Sequence, residues 1–522
     1  MAHLAPRRTR EAHPVSRRTR ALALPVGLAL VASLGFLPAA TATAAPTGAP
    51  AAATPRTDGP KLSYVVNTGT GRAAVQRVEK AVEQAGGTVV ISYDRVGVIV
   101  AHSQNPAFAE TIRGVRGVAS AGATRTNPIV PQATKDVGAI AQPLTEAQAA
   151  AAAAAATADE DPLEPLQWSL PAIKADKAHQ KSLGSKKVTV AVIDTGVDDT
   201  HPDLAPNFDR QASANCVSGA PDTTAGSWRP AAGESDHGTH VAGTIAAAKN
   251  DFGVTGVAPG VKVSGIKVST PDGYFYTEAV VCGFLWAAEN GVDVTNNSYY
   301  TDPWLFACKN DPDQGALVES LTRAVTYAER RGTVNVAAAG NARHDLSSRS
   351  IVDRTSPNDS ETVTRTIDPR VCPDIPTMLP GVVTVSATGA KGLKSSYSNY
   401  GKGVIDVAAP GGDSTVYQTP EPPAVNGLIL STLPGGRFGY KAGTSMASPH
   451  VAGVVALIKS RHPSASPAAV KVLLGLQADA KACGAPYDID GDGTVAAVCE
   501  GTKVYNGFYG AGVVDALDAV RW

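Results

Sequence analysis

The chain from about residue 161 onward alternates short apolar runs with longer segments of helical periodicity. "VTVAVID" (188–194) is almost entirely apolar, as expected for a strand covered on both faces, and "VKVSGIKV", "VDVTNNS", "TVNVAAAGN" and "VVTVSAT" are similar. Helical segments such as "EAVVCGFLWAAENG" and "ALVESLTRAVTYAERRG" lie between them. This alternation predicts an α/β domain at residues 161–522, in which helices cover both faces of a mostly parallel sheet.

A second, smaller pattern occupies residues 45–125. "KLSYVVNT" favours a strand, and "TVVISYDRVGVIVAH" favours two strands around a turn. The intervening segment places Val75, Val78, Val82 and Ala85 on one helical face and ends at a Gly-Gly pair. "PAFAETIRGVRG" predicts a further short helix. The segment therefore predicts a small α+β domain, which suits a binding module or a propeptide.

An Ala-rich linker at residues 126–160 separates the two patterns. Thr145 and Gln148 resemble a capping box, and the alanines of residues 149–156 favour a short exposed helix that "TADEDP" ends. Polyalanine buries little surface, so we expect this linker to be open to proteases and to contain a maturation site.

The first 44 residues have the organisation of a signal peptide. An Arg-rich start precedes "ALALPVGLALVASLGFL", and the small residues of "ATATAA" predict cleavage after Ala44. Pro25 interrupts the apolar run, which favours this interpretation over a membrane anchor. The later sequence has no second run long enough to span a bilayer. We therefore expect a secreted, extracellular protein with no membrane segment in its mature form, and the export route stays open between Sec and twin-arginine.

The charge and the cysteine content narrow the class of protein. Lys plus Arg number 46 and Asp plus Glu 47, so the net charge of −1 gives no electrostatic case for a nucleic-acid partner. Six cysteines, an even number, fit an oxidising compartment and allow full pairing. Cys483 with Cys499 is the expected local bridge, and the pairing of Cys216, Cys282, Cys308 and Cys372 stays open.

Candidate chemical groups lie where strands end and helices begin. Asp194 ends "VAVID", Asn341 ends "VAAAGN", His237 and His240 begin the "HGTHVAGT" helix, and Ser445 begins the "GTSMASPHVAG" helix. Each of them alone could be a turn-former or a helix cap. Because reactive groups of parallel sheets gather beyond the carboxyl ends of the strands, we expect a carboxylate, an imidazole, an amide and a hydroxyl to meet there.

The motifs "VIDTGVD", "HGTHVAG", "AAAGN" and "GTSMASPHVAG" occur in the order of the Asp, His, oxyanion-hole Asn and Ser motifs of subtilisin-type serine proteases, the subtilases of peptidase family S8. This resemblance covers about residues 161–522. It implies a subtilisin-like three-layer domain in which Ser445 is the nucleophile, His237 its base, Asp194 the group that orients the base, and Asn341 an oxyanion donor.

The region before the linker resembles the inhibitory propeptide of the same family, a small α+β ferredoxin-like domain. The resemblance implies a secreted serine endopeptidase, made as a zymogen and acting on proteins or peptides. Its own propeptide would be an intramolecular inhibitor and folding aid, and we expect a monomer. Two alternatives stay open: an inactive subtilase fold that only binds, although no motif is lost, and a processing peptidase of narrow specificity.

The sequence departs from the family along the substrate cleft. Subtilisins usually have Ser-Leu-Gly where this chain has "NNSYY", so Tyr300 would stand in place of a Gly and reshape the primary pocket. The predicted substrate-binding residues are Ser298, Tyr299 and Tyr300 on one wall and Ala338, Ala339 and Gly340 on the other. A long polar insertion follows Asn341 and holds Cys372, which we consider a partner for Cys308. It either extends the cleft or forms a stabilised surface loop.

Two segments suggest structural Ca²⁺, and no cofactor is expected for the chemistry. "HPDL" and "AAAKNDFGV" resemble the family's strong calcium site, and oxygen ligands of this kind suit Ca²⁺. The resemblance implies as ligands the carboxylate of Asp203, the side chain of Asn250, and the carbonyls of Ala248, Phe252 and Val254. Glu164 would replace the family's Gln near the mature N-terminus.

"DIDGDGT" (488–494) is a separate calcium candidate. Asp488, Asp490 and Asp492, followed by a Gly, match the first half of a calcium loop. The Glu expected at the last position is absent, because Cys499 is there. A polar turn closed by the Cys483–Cys499 bridge explains the segment as well.

Overall fold

The computed structural model describes residues 59–129, 142–414, 418–484, 487–488 and 495–521. The predicted signal peptide and the calcium candidates Asp490 and Asp492 lie outside these ranges. Within them, no helix has both the length and the apolar composition that a bilayer span requires.

The N-terminal module has six elements: β1 (Leu62–Thr68), α1 (Arg72–Gln84), β2 (Gly87–Tyr93), β3 (Val98–Ser103), α2 (Phe108–Arg113) and β4 (Val118–Ala123). Its four strands pair antiparallel in the order β2-β3-β1-β4. The apolar face predicted for α1 is buried through Val75, Val78 and Val82. This β-α-β-β-α-β arrangement confirms the predicted ferredoxin-like fold.

The linker contributes two elements, β5 (Gln142–Pro143) and α3 (Glu146–Ala155). The predicted capping box is present: the Gln148 backbone N–H donates to the Thr145 hydroxyl at 3.2 Å, and the Thr145 N–H donates to the Gln148 side chain at 3.0 Å. Most of α3 is exposed, but Ala152 is buried against Leu163 and Val254. The helix is therefore anchored to the following domain by Ala152 and by the partly buried Ala149.

The larger domain contains a seven-stranded sheet in which every described strand pair is parallel, with the order β14-β13-β10-β9-β6-β8-β7. Its strands are β6 (Thr189–Asp194), β7 (Ala214–Asn215), β8 (Lys262–Lys267), β9 (Val294–Asn297), β10 (Val334–Ala338), β13 (Val383–Thr388) and β14 (Val407–Pro410). Two hairpins flank it: β11 (Ile351–Asp353) with β12 (Arg365–Ile367), and β15 (Ile429–Leu433) with β16 (Arg437–Lys441).

Helices cover both faces of this sheet, as the alternating pattern predicted. They are α4 (Ser169–Ala172), α5 (Ala175–His179), α6 (His237–Ala246), α7 (Thr277–Glu289), α8 (Pro312–Arg330), α9 (Thr444–Arg461), α10 (Pro467–Gln477) and α11 (Ala516–Arg521). Side chains of β6 alternate between two cores: Val190 and Val192 pack with α6 and α9, whereas Ala191 and Ile193 pack with α7 and α8. The result is the three-layer α/β architecture that the sequence predicted.

All six cysteines are paired in three disulfides, Cys216–Cys282, Cys308–Cys372 and Cys483–Cys499. The predicted Cys483–Cys499 bridge is confirmed, and so is the pairing considered for Cys308. The second bridge closes the insertion after Asn341, where the β11–β12 hairpin packs on Phe306 and Leu346.

The N-terminal module docks on α7 and α8 through its sheet. Val65, Val96 and Val98 belong to the same apolar core as those helices. Asn67 makes two buried hydrogen bonds to α8: its amide donates to the Ala316 carbonyl at 3.0 Å, and its oxygen accepts from Ser320 at 2.9 Å. The module and the larger domain therefore share both apolar and polar contacts.

The docking predicts a penalty for one added methyl group at Gly122 in β4. A Cβ there would lie 2.3 Å from the backbone oxygen of Asp313 on α8, so the two elements must separate. We expect Gly122→Ala to lower the free energy of unfolding of the intact chain by about 1–3 kcal/mol, as overpacking does. Chemical denaturation of chains verified as full length by mass spectrometry measures this change.

Gly114→Ala is the matched control. Gly114 has a φ of −73°, and the nearest atom to an added Cβ is 3.4 Å away, so this change should be neutral or slightly stabilising. Equal stability of the two variants would contradict the docking geometry.

Candidate active site

A carboxylate and an imidazole meet where β6 ends and α6 begins. The Nδ1 atom of His237 lies 2.8 Å from Oδ1 of Asp194, and the Thr195 backbone N–H donates to the same oxygen at 2.7 Å. Asp194 is fully buried and His237 is 5% exposed. A carboxylate can only accept, so Nδ1 carries the proton and Nε2 presents its lone pair. The pair therefore holds the imidazole in the tautomer that a general base needs.

His240, one turn further along α6, packs instead of facing the cleft. Its Nε2–H donates to the carbonyls of Ile429 and Gly439, at 3.0 and 3.1 Å. Burial, followed by the charge of Lys441, lowers the pKa of His240 well below its usual value. This neutral histidine fastens the β15–β16 hairpin to α6, so one histidine of the motif lies at the cleft and the other lies in the core.

Ser445 lies in the first turn of α9, half-buried at the edge of the cleft. Its hydroxyl donates to the Ser298 carbonyl at 3.2 Å, and the Ser298 hydroxyl donates to the Ser445 carbonyl at 3.0 Å. Within the described part of the chain, the Ser445 hydroxyl and the His237 ring form no hydrogen bond with each other. Catalytic hydrogen bonds are often long or misaligned without substrate, so this orientation of the hydroxyl is compatible with a pair between Ser445 and His237.

Pro449 explains why Ser298 can bond to Ser445. The helix α9 begins at Thr444, and Pro449 is its sixth residue. Proline has no N–H, so the carbonyl four residues earlier, that of Ser445, loses its helical donor. The Ser298 hydroxyl supplies the missing hydrogen bond and ties the start of α9 to the end of β9.

Asn341 follows β10 on the other side of the cleft. Its side-chain oxygen accepts from the Thr444 backbone N–H at 2.9 Å and from the Thr444 hydroxyl at 2.8 Å. The Thr444 hydroxyl in turn accepts from the Gly340 N–H at 3.0 Å. Because these contacts engage the oxygen of the amide, its NH₂ group is left as a donor at the cavity that Asn341 lines.

A cavity of about 300 Å³ joins these groups and is lined by His237, Ser445 and Asn341. Five of the six predicted substrate-binding residues also line it, namely Ser298, Tyr299, Tyr300, Ala338 and Gly340. Ala339 does not. It is fully buried, and its backbone N–H donates to the Val385 carbonyl within the sheet.

Sequence reasoning missed the remaining walls of the cavity. Phe275 stacks on Tyr299 with ring centroids 4.6 Å apart, and Leu305, Asp302 and Asp374 also line the space. No motif marks these residues, because distant loops bring them together. Thr355 belongs to the long insertion after Asn341 and lines the cavity too, so this insertion extends the cleft, one of the two alternatives open from the sequence.

The first calcium candidate surrounds Asp203. Its Oδ2 accepts from the Val254 N–H at 2.9 Å, whereas its Oδ1 is buried without a hydrogen-bond partner. Burial, with a contribution from the nearby Asp161 carboxylate, raises the pKa of Asp203 to about 7. Asp161, which the sequence did not single out, accepts the backbone N–H of Asn250 at 3.2 Å. Two adjacent buried carboxylates and an unsatisfied oxygen fit a bound cation.

The other residues predicted to bind calcium differ in their contacts. The Ala248 N–H donates to the backbone oxygen of Asp203 at 2.7 Å, and Phe252 is exposed on the same loop. Glu164 instead pairs with Lys249 at 2.8 Å, so it already has a cation beside it. In the second candidate loop, Asp488 is the one predicted ligand that lies within the described residues.

The chain is similar in sequence to known proteins. The model of the Subtilase family matches residues 185–510. Subtilisin BL of Lederbergia lenta is 34% identical over 299 residues, which cover 57% of this chain and 86% of the relative.

Two solved structures share the fold. The epidermin leader peptide processing serine protease EpiP of Staphylococcus aureus has a TM-score of 0.62 at 23% identity, covering 88% of this chain and 98% of that one. Fervidolysin of Fervidobacterium pennivorans, a keratinolytic enzyme related to subtilisin, has a TM-score of 0.55 at 24% identity, covering 88% and 61%. With the family match extending over most of the three-layer domain, this chain belongs to the subtilase family of serine endopeptidases.

Proposed function

We propose that the chain is a secreted zymogen whose larger domain hydrolyses peptide bonds through Ser445, His237 and Asp194. The observation that carries this proposal is the 2.8 Å contact between Asp194 and His237, at a cavity that Ser445 and Asn341 also line. Protein or peptide chains are the substrates.

In the proposed reaction, Nε2 of His237 accepts the Ser445 hydroxyl proton as the oxygen attacks the substrate carbonyl. The imidazolium gives that proton to the leaving amine as the peptide bond breaks, and an acyl-enzyme remains on Ser445. A water molecule then repeats the sequence, releasing the acid and restoring the serine. Asp194 stabilises the imidazolium throughout.

The oxyanion would be held by two donors. The Ser445 backbone N–H belongs to the first turn of α9, where N–H groups have no helical acceptor. The NH₂ group of Asn341 is the second donor, since the contacts to Thr444 fix the opposite end of the amide.

The N-terminal module is the proposed inhibitor and folding aid. It covers α7 and α8, and the chain that leaves it is bound by the larger domain, because the Thr126 backbone N–H donates to Asp359 at 2.9 Å. Further along the linker, β5 pairs with β16. Cleavage in residues 126–160 would separate module and domain. Three disulfides and the predicted signal peptide support secretion.

The test of this function is labelling with a fluorophosphonate, followed by intact and peptide mass spectrometry. We expect secreted wild type to lose its N-terminal module and to carry the adduct on Ser445. Ser445→Ala should remain full length and unlabelled. Glu421→Gln, a change at a side chain that is 82% exposed and outside the cavity, should mature and take the label as wild type does. Wild type that matures without any adduct on Ser445 would contradict the proposal.

The proposed oxyanion donor predicts a loss in kcat. Asn341→Leu should lower kcat about 10²–10³-fold with little change in KM, a magnitude taken from subtilisin itself, in which loss of the oxyanion-hole amide has that effect. Steady-state kinetics with a peptide p-nitroanilide measures it. Asn341→Asp keeps the oxygen that accepts from Thr444 and removes the NH₂ donor, so it should be similarly impaired. An unchanged kcat in either variant would exclude Asn341 from the mechanism.

We also propose that Ca²⁺ binds beside Asp203 as a structural ion, with Asp161, Asn250 and nearby carbonyl oxygens as ligands. Ca²⁺ at 100-fold above its Kd should raise the free energy of unfolding by about 3 kcal/mol, and a chelator should remove this gain. Thermal unfolding with Ca²⁺ or chelator measures the difference.

Two variants identify the calcium site. Asp203→Asn should abolish the response to Ca²⁺, whereas Asp488→Asn, in the second candidate loop, should retain it. A full response in Asp203→Asn would move the proposed ion away from this site.

A further inference from the structure

Asp374 is a buried carboxylate in the wall of the catalytic cavity. It is 2% exposed, and its Oδ1 has no hydrogen-bond partner. Among the described residues, no lysine, arginine or histidine forms an ion pair with it. The carboxyl group therefore lines the cavity without a cationic partner from the described residues.

Two other buried carboxylates of this chain each have a cationic partner. Glu278 pairs with Arg125, and Asp353 pairs with Arg365. A buried carboxylate without a cation is strongly disfavoured, and burial accordingly raises the pKa of Asp374 well above its usual value. Glu278 and Asp353 each have an arginine partner, whereas Asp374 has none among the described residues. This difference fits a cation that arrives with a ligand.

Asp374 lies near Gly340, which adjoins the proposed reaction centre. A Cβ added to Gly340 would lie 3.8 Å from Oδ2 of Asp374. Gly340 directly precedes the proposed oxyanion donor Asn341, and its N–H donates to Thr444, the neighbour of Ser445. Asp374 thus lines the part of the cavity that adjoins the site where a substrate carbonyl would be attacked.

The cavity walls suit a long side chain with a charged end. Phe275, Tyr299, Leu305 and Ala338 supply apolar surface, which can cover the methylene groups of a lysine or arginine. The cationic end of such a side chain would then contact Asp374.

A second carboxyl group, that of Asp302, lies in the cavity wall, and burial raises its pKa to about 7. Both of its oxygens have partners: the Phe275 N–H and the Asn358 amide, the latter at 2.6 Å. The Asn358 amide also donates to the Tyr300 hydroxyl at 2.8 Å. Asp302 is therefore held by the protein, and Asp374 is the carboxylate that is free to pair.

We propose that this cavity selects substrates with lysine or arginine at the residue whose carbonyl Ser445 attacks, and that Asp374 pairs with the substrate cation. The inference rests on the proposed function, because it names the substrate class of the same site. Asp374 acts here as a specificity residue and takes no part in bond breaking.

The test compares kcat/KM for peptide p-nitroanilides that differ only in the final residue, Arg, Lys, Phe or Leu. Titration with a fluorophosphonate gives the concentration of active enzyme in each preparation. Wild type should favour Arg or Lys over Phe and Leu by at least about 10²-fold. Asp374→Asn, nearly identical in shape, should lose about 10²–10³-fold on the basic substrates, as expected when one partner of a buried charge pair is removed.

In the same variant, kcat/KM for the Phe substrate should change less than about threefold. Glu421→Gln removes one negative charge at a side chain that is 82% exposed and outside the cavity, so it should behave as wild type. Wild type that labels with fluorophosphonate but prefers Phe or Leu would overturn this inference and leave the proposed function standing. Loss of labelling in wild type would overturn the proposed function itself.

A measurement on wild type alone covers the case in which Asp374→Asn does not fold. Benzamidine carries an amidinium on an apolar ring and should compete with the substrate. Competitive inhibition, with benzamide (the same ring without the charge) inhibiting at least about 10-fold more weakly, supports the pairing. Equal inhibition by the two compounds would overturn it.

Discussion

The reciprocal hydrogen bonds between Ser298 and Ser445 join the end of a buried strand to the start of a buried helix. Because Pro449 deprives the Ser445 carbonyl of its helical donor, the Ser298 hydroxyl is the group that satisfies it. One turn further along α9, the Ser448 hydroxyl donates to Asn296 in β9 at 2.7 Å. Strand and helix are thus fixed to each other at Ser445, the proposed nucleophile.

The other groups of the proposed mechanism lie at the same edge of the sheet. β9 lies between β6, which ends at Asp194, and β10, after which Asn341 follows. Parallel strands present their carboxyl ends together, so three neighbouring strands bring the carboxylate, the Ser298 contact and the amide to one line. The helix α9 begins at the same edge, and the hydrogen bond from the Thr444 hydroxyl to Asn341 fixes the orientation of its first turn.

Patterns with a local physical cause were predictable from the sequence. The buried strand at 189–194, the capping box at Thr145 and the buried face of α1 each follow from neighbouring residues. Groups assembled from distant segments were not. Asp374 reaches the cavity through the disulfide-closed insertion, and Ala339 belongs to the sheet because its N–H bonds to Val385, although its neighbours line the cleft. No local pattern reports such contacts.

The insertion contacts the "NNSYY" segment. The Tyr300 hydroxyl accepts from the Asn358 amide in the insertion, and the same amide donates to Asp302. A pocket with a Gly at that position would be open to many side chains, whereas here an aromatic ring, a loop and two buried carboxylates surround the space. In the proposed pairing, an apolar side chain would leave the buried carboxyl group without its cation. The residues around this space are therefore those on which the proposed discrimination between substrates depends, whereas the proposed bond-breaking groups lie at the ends of β6 and β10 and at the starts of α6 and α9.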